Sequence, residues 1–166
     1  MTSNNNNNSN TNLLGTAIKI ASEVHEKQFD QGGNAYLLHP IRIMQRLRTT
    51  DWELMAIAIM HDVVEDSGGL WTIDKLRDLG FSDRVLCALS LLTHVKEDSY
   101  EDYIKKISTN VDSIRVKLED LKDNSDITRL KGVRQKDFER IVKYNKAYMF
   151  LSNVYKNHQL VGYCNS

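Results

Sequence analysis

Proline is almost missing from this 166-residue chain, which has one, Pro40, and cysteine is scarce, with two. Neither Cys87 nor Cys164 belongs to a CxxC pair. That excludes a zinc ribbon and a disulfide framework, and leads us to expect two free thiols in a reducing compartment. No apolar run approaches the roughly 20 residues needed to span a bilayer, so no membrane partner is expected. An excess of charge is missing as well, since 22 basic and 22 acidic side chains cancel. A protein that coats nucleic acid or an anionic membrane needs a basic surplus, so nucleic acid is not an expected partner either. A small basic pocket for a phosphorylated ligand is still compatible with neutrality. The first residues lack the cationic and apolar segments of a secretory signal, which makes the cytoplasm the expected location. Strict alternation of apolar and polar residues, the mark of half-buried strands, is also hard to find.

What remains is helical periodicity. Residues 1–12, MTSNNNNNSNTN, hold no side chain able to build a core and are expected to form a disordered polar tail. The domain is expected over residues 13–157, with a C-terminal tail over 158–166. Leu13, Ala17, Ile20, Ala21 and Val24 follow amphipathic spacing, in a helix running towards the Gly32-Gly33 break. A second helix starts at Pro40, with Ile41, Met44 and Leu47 as its buried face. Residues 52–64 are apolar almost all round and predict one continuous buried helix, broken at Ser67-Gly68-Gly69. Shorter helices are expected at 72–79, 82–93, 99–108 and 110–124. In the last, Val111, Ile114, Leu118 and Leu121 face inward. A long final helix covers about 134–157, with Phe138, Ile141, Val142, Ala147 and Leu151 inward. The fold class is therefore all-α, a single helical bundle of about seven or eight helices.

The anomaly lies in the buried helix, which reads His61-Asp62 towards its end. An isolated carboxylate is very costly to desolvate, so a buried aspartate is normally paired or bound to a metal. A neighbouring imidazole offers a second ligand atom. By itself an HD dipeptide can equally be a helix-end aspartate making a local hydrogen bond. Two further groups change its meaning. His39 stands directly before Pro40, where its backbone is expected to be extended. Asp120 shares one helical stripe with Lys117 and Asn124, although such a stripe can also be a solvated face.

The ordered set H-x21-HD-x57-D, formed by His39, His61, Asp62 and Asp120, matches the ligand order of the HD superfamily. Its flanks resemble the hydrolase domain of RelA/SpoT homologues and the stand-alone small alarmone hydrolases. The resembling segments are Tyr36-Leu-Leu-His39-Pro40, Ala58-Ile-Met-His61-Asp62-Val-Val-Glu65-Asp66 and Val116-Lys117-Leu118-Glu119-Asp120-Leu-Lys-Asp123-Asn124. The resemblance covers roughly residues 13–150. It implies an HD-domain bundle and one divalent metal ion, Mn2+ above all, held by His39, His61, Asp62 and Asp120. It also implies hydrolytic removal of pyrophosphate from the 3′ position of (p)ppGpp, a small-molecule nucleotide. Glu65 and Asp66 are implied as the catalytic pair. Two acids at a helix C-terminus oppose the helix dipole, which also speaks against a purely structural role.

The resemblance frays around the substrate. The family carries an Arg-Lys pair where this chain has Asp30 and Gln31, and an arginine where it has Asp126. Lys117, Asn124, Arg129 and Tyr144 are the candidate substrate contacts, with Arg140, Lys143 and Lys146 nearby on the last helix. His25 and His94 are also within reach of the site by this alignment, although a lone helical histidine is more often structural. Two alternatives stay open at this point. One is an HD phosphohydrolase for a different nucleotide, such as an NADPH-type 2′-phosphate or a nucleoside phosphate. The other is a non-catalytic nucleotide-binding module. Oligomeric state is not readable from the sequence.

Overall fold

The computed structural model describes the backbone of residues 6–164 and the side chains of residues 13–160. Among these residues there is no strand, only one isolated bridge between Phe29 and Ala35. The elements run α1 (Asn6–His25), α2 (Leu38–Arg46), α3 (Trp52–Met60), α4 (Val63–Asp66), α5 (Ile73–Asp78), α6 (Asp83–Leu92), α7 (Tyr100–Ile107), α8 (Val111–Asn124) and α9 (Gln135–Cys164). A 3-10 turn (Ile127–Arg129), not foreseen from periodicity, joins α8 to α9. The architecture is the expected all-α bundle, with eight helices if α3 and α4 count as one bent unit. No described helix is long and apolar enough to cross a membrane.

The segment that is apolar all round becomes the centre of the bundle. Leu54, Ala56, Ile57, Ala58, Ile59 and Met60 of α3 are all buried, and α1, α2, α6 and α8 pack around them. Five of the shorter helices start where a side chain satisfies orphan backbone N–H groups of the first turn: Asp51, Thr72, Ser82, Ser99 and Asn110 cap α3, α5, α6, α7 and α8, whereas α2 and α4 have no such cap. Asp51 also accepts from Arg84 at 2.6 Å, and the same guanidinium reaches Glu53 at 3.0 Å and Asp112 at 2.7 Å. Arg84 of α6 thereby ties together the starts of α3 and α8.

Asp51→Ala is expected to lower stability by about 1 kcal/mol in urea titrations at neutral pH, the usual loss for a helix cap. Burial would raise the Asp51 pKa, but Arg84 and the N–H groups of Leu54 and Glu53 outweigh it and hold the carboxyl below its ordinary value. Its contribution is therefore present above about pH 4 and lost as pH falls further, so the gap between wild type and variant should close in acid.

Several boundaries differ from those predicted. The helix begins at Asn6, within the segment expected to be disordered, whereas residues 1–5 of that segment lie outside the described residues. Likewise α9 continues to Cys164 through most of the expected tail. The Cys164 thiol lies outside the described side chains, while Cys87 is a free, exposed thiol. The inward face of α9 is rotated from the expected one. Ala147 and Leu151 are buried, and Tyr144, Tyr148, Val154 and Tyr155 pack beside them, but Val142 and Phe138 are exposed. Val142 and Leu151 are about two and a half turns apart, which puts them on opposite sides of one helix. Val111, the first residue of α8, is exposed as well.

Two corrections bear directly on the chemistry. The predicted continuous helix over 52–64 is interrupted, with His61 and Asp62 in the junction between α3 and α4. His61 Nδ1 bonds the Ala58 carbonyl at 2.9 Å, the acceptor that a continuing helix would offer to Asp62, and Asp62 takes φ −102° and ψ −4°. His39 is not extended but already helical, in the first turn of α2 with Pro40, and its N–H bonds Tyr36 O at 2.8 Å.

Candidate metal centre

Three elements deliver the four expected ligands to one place: α2 brings His39, the α3–α4 junction brings His61 and Asp62, and α8 brings Asp120. Ligand atoms of His39, His61 and Asp120, all buried, lie within 4.8 Å of one another. His39 Nε2 stands 3.1 Å from Asp120 Oδ1, and His61 Nε2 stands 3.0 Å from Asp62 Oδ2. The cross distances are 3.9 Å from His39 Nε2 to Asp62 Oδ2 and 3.8 Å from His61 Nε2 to Asp120 Oδ1.

The outer atoms fix which nitrogens face inward. His39 Nδ1 meets Asp123 Oδ2 at 2.8 Å and His61 Nδ1 meets the Ala58 carbonyl, so each ring is anchored outward through Nδ1 and turns its Nε2 towards the carboxylates. Both Nε2 atoms are buried without a hydrogen-bond partner. Buried orphan nitrogens beside two carboxylates are what a cation site requires, and the donor set of imidazole and carboxylate fits a divalent ion. The carboxylates are held too. Tyr36 donates its hydroxyl to Asp62 Oδ2 at 2.5 Å, Asn124 donates Nδ2 to Asp120 Oδ1 at 2.5 Å, and Lys117 Nζ lies 2.7 Å from Asp120 Oδ2.

Charge in the cluster calls for a cation. Burial should push the His39 imidazole down, yet the surrounding carboxylates of Asp120, Asp123 and Asp62 hold it up at about 9. Burial likewise opposes charge on Asp120, but Lys117, His39 and His61 keep it well below the carboxylate range. Without an ion, protons on the histidines supply the positive charge that the two aspartates demand.

The expected catalytic pair sits on α4, one turn beyond the junction. Glu65 Oε2 accepts the backbone N–H of His94 at 3.0 Å, and Asp66 Oδ2 is 3.8 Å from His25 Nδ1. Burial, then the negative charges of Asp62 and Glu65, push the Asp66 carboxyl up to about 6. His25 is fully enclosed, bonded through Nδ1 to Gln28 at 2.8 Å, and burial pushes its pKa down, so a neutral imidazole faces Asp66. The His94 ring is turned away, with Nε2 at 3.1 Å from Asp98 O.

A cleft opens beside the cluster, lined by Tyr36, His39, Asn124, Arg129 and Tyr144 together with Asp30, Gln31, Asp126 and Arg140. Gly32 lets its loop pack against the 3-10 turn, since a Cβ there would collide with the Arg129 carbonyl. The proposed substrate residues fall into two groups. Lys117 is largely buried and serves Asp120. Asn124 also bonds Asp120, while Arg129 and Tyr144 reach the cleft wall. The Arg129 guanidinium lies 3.3 Å from Asp30 Oδ2 and 3.0 Å from Asp123 Oδ2.

Asp123 is the residue that sequence reasoning missed. Its carboxylate is fully buried and meets His39, both arms of Arg42 at 2.8 and 2.9 Å, Arg46 at 2.8 Å and Arg129. Its three-residue offset from Asp120 on α8 was a usable signal, as was the Arg42 and Arg46 pair that follows His39 on α2.

No protein-family model matches the chain. It is 28% identical over 145 residues to the bifunctional (p)ppGpp synthase/hydrolase SpoT of Escherichia coli, covering 76% of this chain and 19% of that protein. A guanosine-3′,5′-bis(diphosphate) 3′-pyrophosphohydrolase of Haemophilus influenzae is 30% identical over 130 residues, covering 73% of this chain and 19% of that protein. The chain thus spans about a fifth, or less, of the length of the curated relatives it matches. Among solved structures it is similar to one described as a metazoan ortholog of SpoT that hydrolyzes ppGpp and plays a role in starvation responses. That likeness has a TM-score of 0.64 at 18% identity and covers 88% of this chain and 95% of the other, which places the fold in common.

Proposed function

We propose that residues 13–157 form an HD-type, metal-dependent pyrophosphohydrolase that removes pyrophosphate from the 3′ position of (p)ppGpp. The observation that carries this reading is the pair of buried, unpartnered Nε2 atoms converging with Asp62 and Asp120. The relatives that cover three quarters of the chain are named for that reaction, which supports the substrate. His39, His61, Asp62 and Asp120 would hold one divalent cation, and Mn2+ is the ion we favour for two imidazoles and two carboxylates. When bound, such an ion acidifies water and polarises a phosphoryl oxygen.

The chain's own groups account for the protons. Hydrolysis breaks the bond between O3′ and the adjacent phosphorus; water supplies the new P–O bond, and O3′ must gain a proton. Asp66, raised to about 6, retains a fraction of its protons near neutrality and is suited to give one to O3′. Glu65, positioned by the His94 N–H, takes the proton lost by water. The neutral His25 ring steadies Asp66 without competing as a charged partner. Tyr36, Asn124 and Lys117 keep the two aspartates aimed inward.

The test is turnover by purified, manganese-loaded protein across ppGpp, pppGpp, NADPH and ordinary nucleoside phosphates. Release of pyrophosphate and guanosine 5′-diphosphate from ppGpp is expected. Cleavage of another nucleotide alone would move the protein to a different substrate class, and binding without turnover would make it a nucleotide-binding module.

A further inference from the structure

The cleft beside the metal cluster is the place where the remainder of a nucleotide must lie, since it shares Tyr36, His39 and Asn124 with the cluster. Its cations among the described residues are Arg129 and Arg140, and both are already ion-paired, Arg129 to Asp30 and Asp123 and Arg140 to Asp137 at 3.3 Å. Its anions are Asp30 and Asp126. Asp30 is further fixed by the N–H groups of Gly32 and Asn34, each at 2.9 Å, and Asp126 by Thr128 N at 3.0 Å and Thr128 Oγ1 at 2.5 Å. These carboxylates are part of the wall and cannot simply swing away. The buried, unpartnered His39 Nε2 marks the end of the cleft that receives the reacting phosphate.

From this wall we infer that the site selects against charge at the 5′ end of its substrate: among nucleotides with a 3′-pyrophosphate it turns over those with fewer 5′-phosphates faster, ppGpp ahead of pppGpp. This rests on the hydrolase reading above and sharpens its substrate class. A 3′-pyrophosphate enters at the cation, where opposite charge awaits it. Each 5′-phosphate added would instead approach Asp30 and Asp126, with Arg129 already engaged between acids. In a partly desolvated cleft, such like-charge approach is costly.

The test is a series of guanosine 3′-pyrophosphates bearing zero, one, two or three 5′-phosphates, assayed with the manganese-loaded wild-type protein. We expect kcat/KM to fall by roughly three- to tenfold with each added phosphate. In Asp126→Asn, which keeps an oxygen for the Thr128 contacts, and in Asp30→Asn, the fall should flatten. The wild-type series needs no variant to fold. A flat or rising series overturns the inference and leaves the hydrolase reading standing. A falling series that is the same in both variants would also overturn it, because the two carboxylates would then not be its cause. No turnover of any member would overturn both.

Discussion

Asp62→Ala is expected to abolish metal retention and to reduce hydrolysis by about 10³-fold or more, while the far-ultraviolet circular dichroism of the bundle stays unchanged. The size follows from losing Lewis-acid stabilisation of several kcal/mol, at about 1.4 kcal/mol per factor of ten. Asp62 is the cleaner choice among the proposed ligands. Its side chain is 22% exposed, and its loss frees the Tyr36 hydroxyl and removes a carboxylate beside His61 and His39. Removing Asp120 would instead strand the Lys117 ammonium, which is 13% exposed and paired to it, and destabilise the fold by about 3 kcal/mol or more. The wild-type protein makes a matching prediction for pH. Because its carboxylate neighbours hold the metal-free His39 at about 9, a cation must displace protons to bind. Manganese affinity should therefore rise with pH up to about 9, with proton release on binding measurable by calorimetry in buffers of different ionisation enthalpy. Full activity in Asp62→Ala, or affinity that falls as pH rises, would remove the proposed site.

The proposed ligands stood out in the sequence because their cost is local. An aspartate inside a run such as Met-Ala-Ile-Ala-Ile-Met-His-Asp has few ways to be stable, and a metal is one of them. Helix starts were legible for the same reason, since Asp51, Thr72, Ser82, Ser99 and Asn110 cap from within three residues. What escaped was set by partners far along the chain. Asp123 looks like one more acid on a polar stripe until Arg42, 81 residues away, and His39, 84 residues away, close on it. Arg129 looks like a spare phosphate anchor until Asp30, 99 residues away, pairs with it. The break at His61-Asp62 carries no glycine or proline, because a side chain bonding to Ala58 makes it rather than a backbone preference. In α9 the tyrosines 144, 148 and 155 packed where Phe138 and Val142 were expected, since a tyrosine can bury its ring and keep its hydroxyl at an edge.

Asp66→Asn is expected to lower kcat by about 10²- to 10⁴-fold, the range for losing a positioned proton donor, without loss of metal. Asparagine preserves the shape of the side chain, and Asp66 is not one of the four proposed ligands, so manganese content measured on the purified variant should match wild type. The pH profile separates a proton-transfer role from a merely structural one. Wild-type Asp66 must be protonated to act, and in the metal-free protein its carboxyl sits at about 6 because burial and the charges of Asp62 and Glu65 resist ionisation. A neighbouring cation favours the ionised form and moves that value down, never up. The wild-type rate should accordingly fall as pH rises through a limb at or below 6, and this limb should vanish in Asp66→Asn. His25→Gln gives the second arm: it removes the imidazole 3.8 Å from Asp66 and should shift the limb while leaving it present. If Asp66→Asn kept both its rate and its alkaline limb, the donor would have to be sought elsewhere on α4, and Glu65, already aligned by the His94 N–H, would be the residue to replace next.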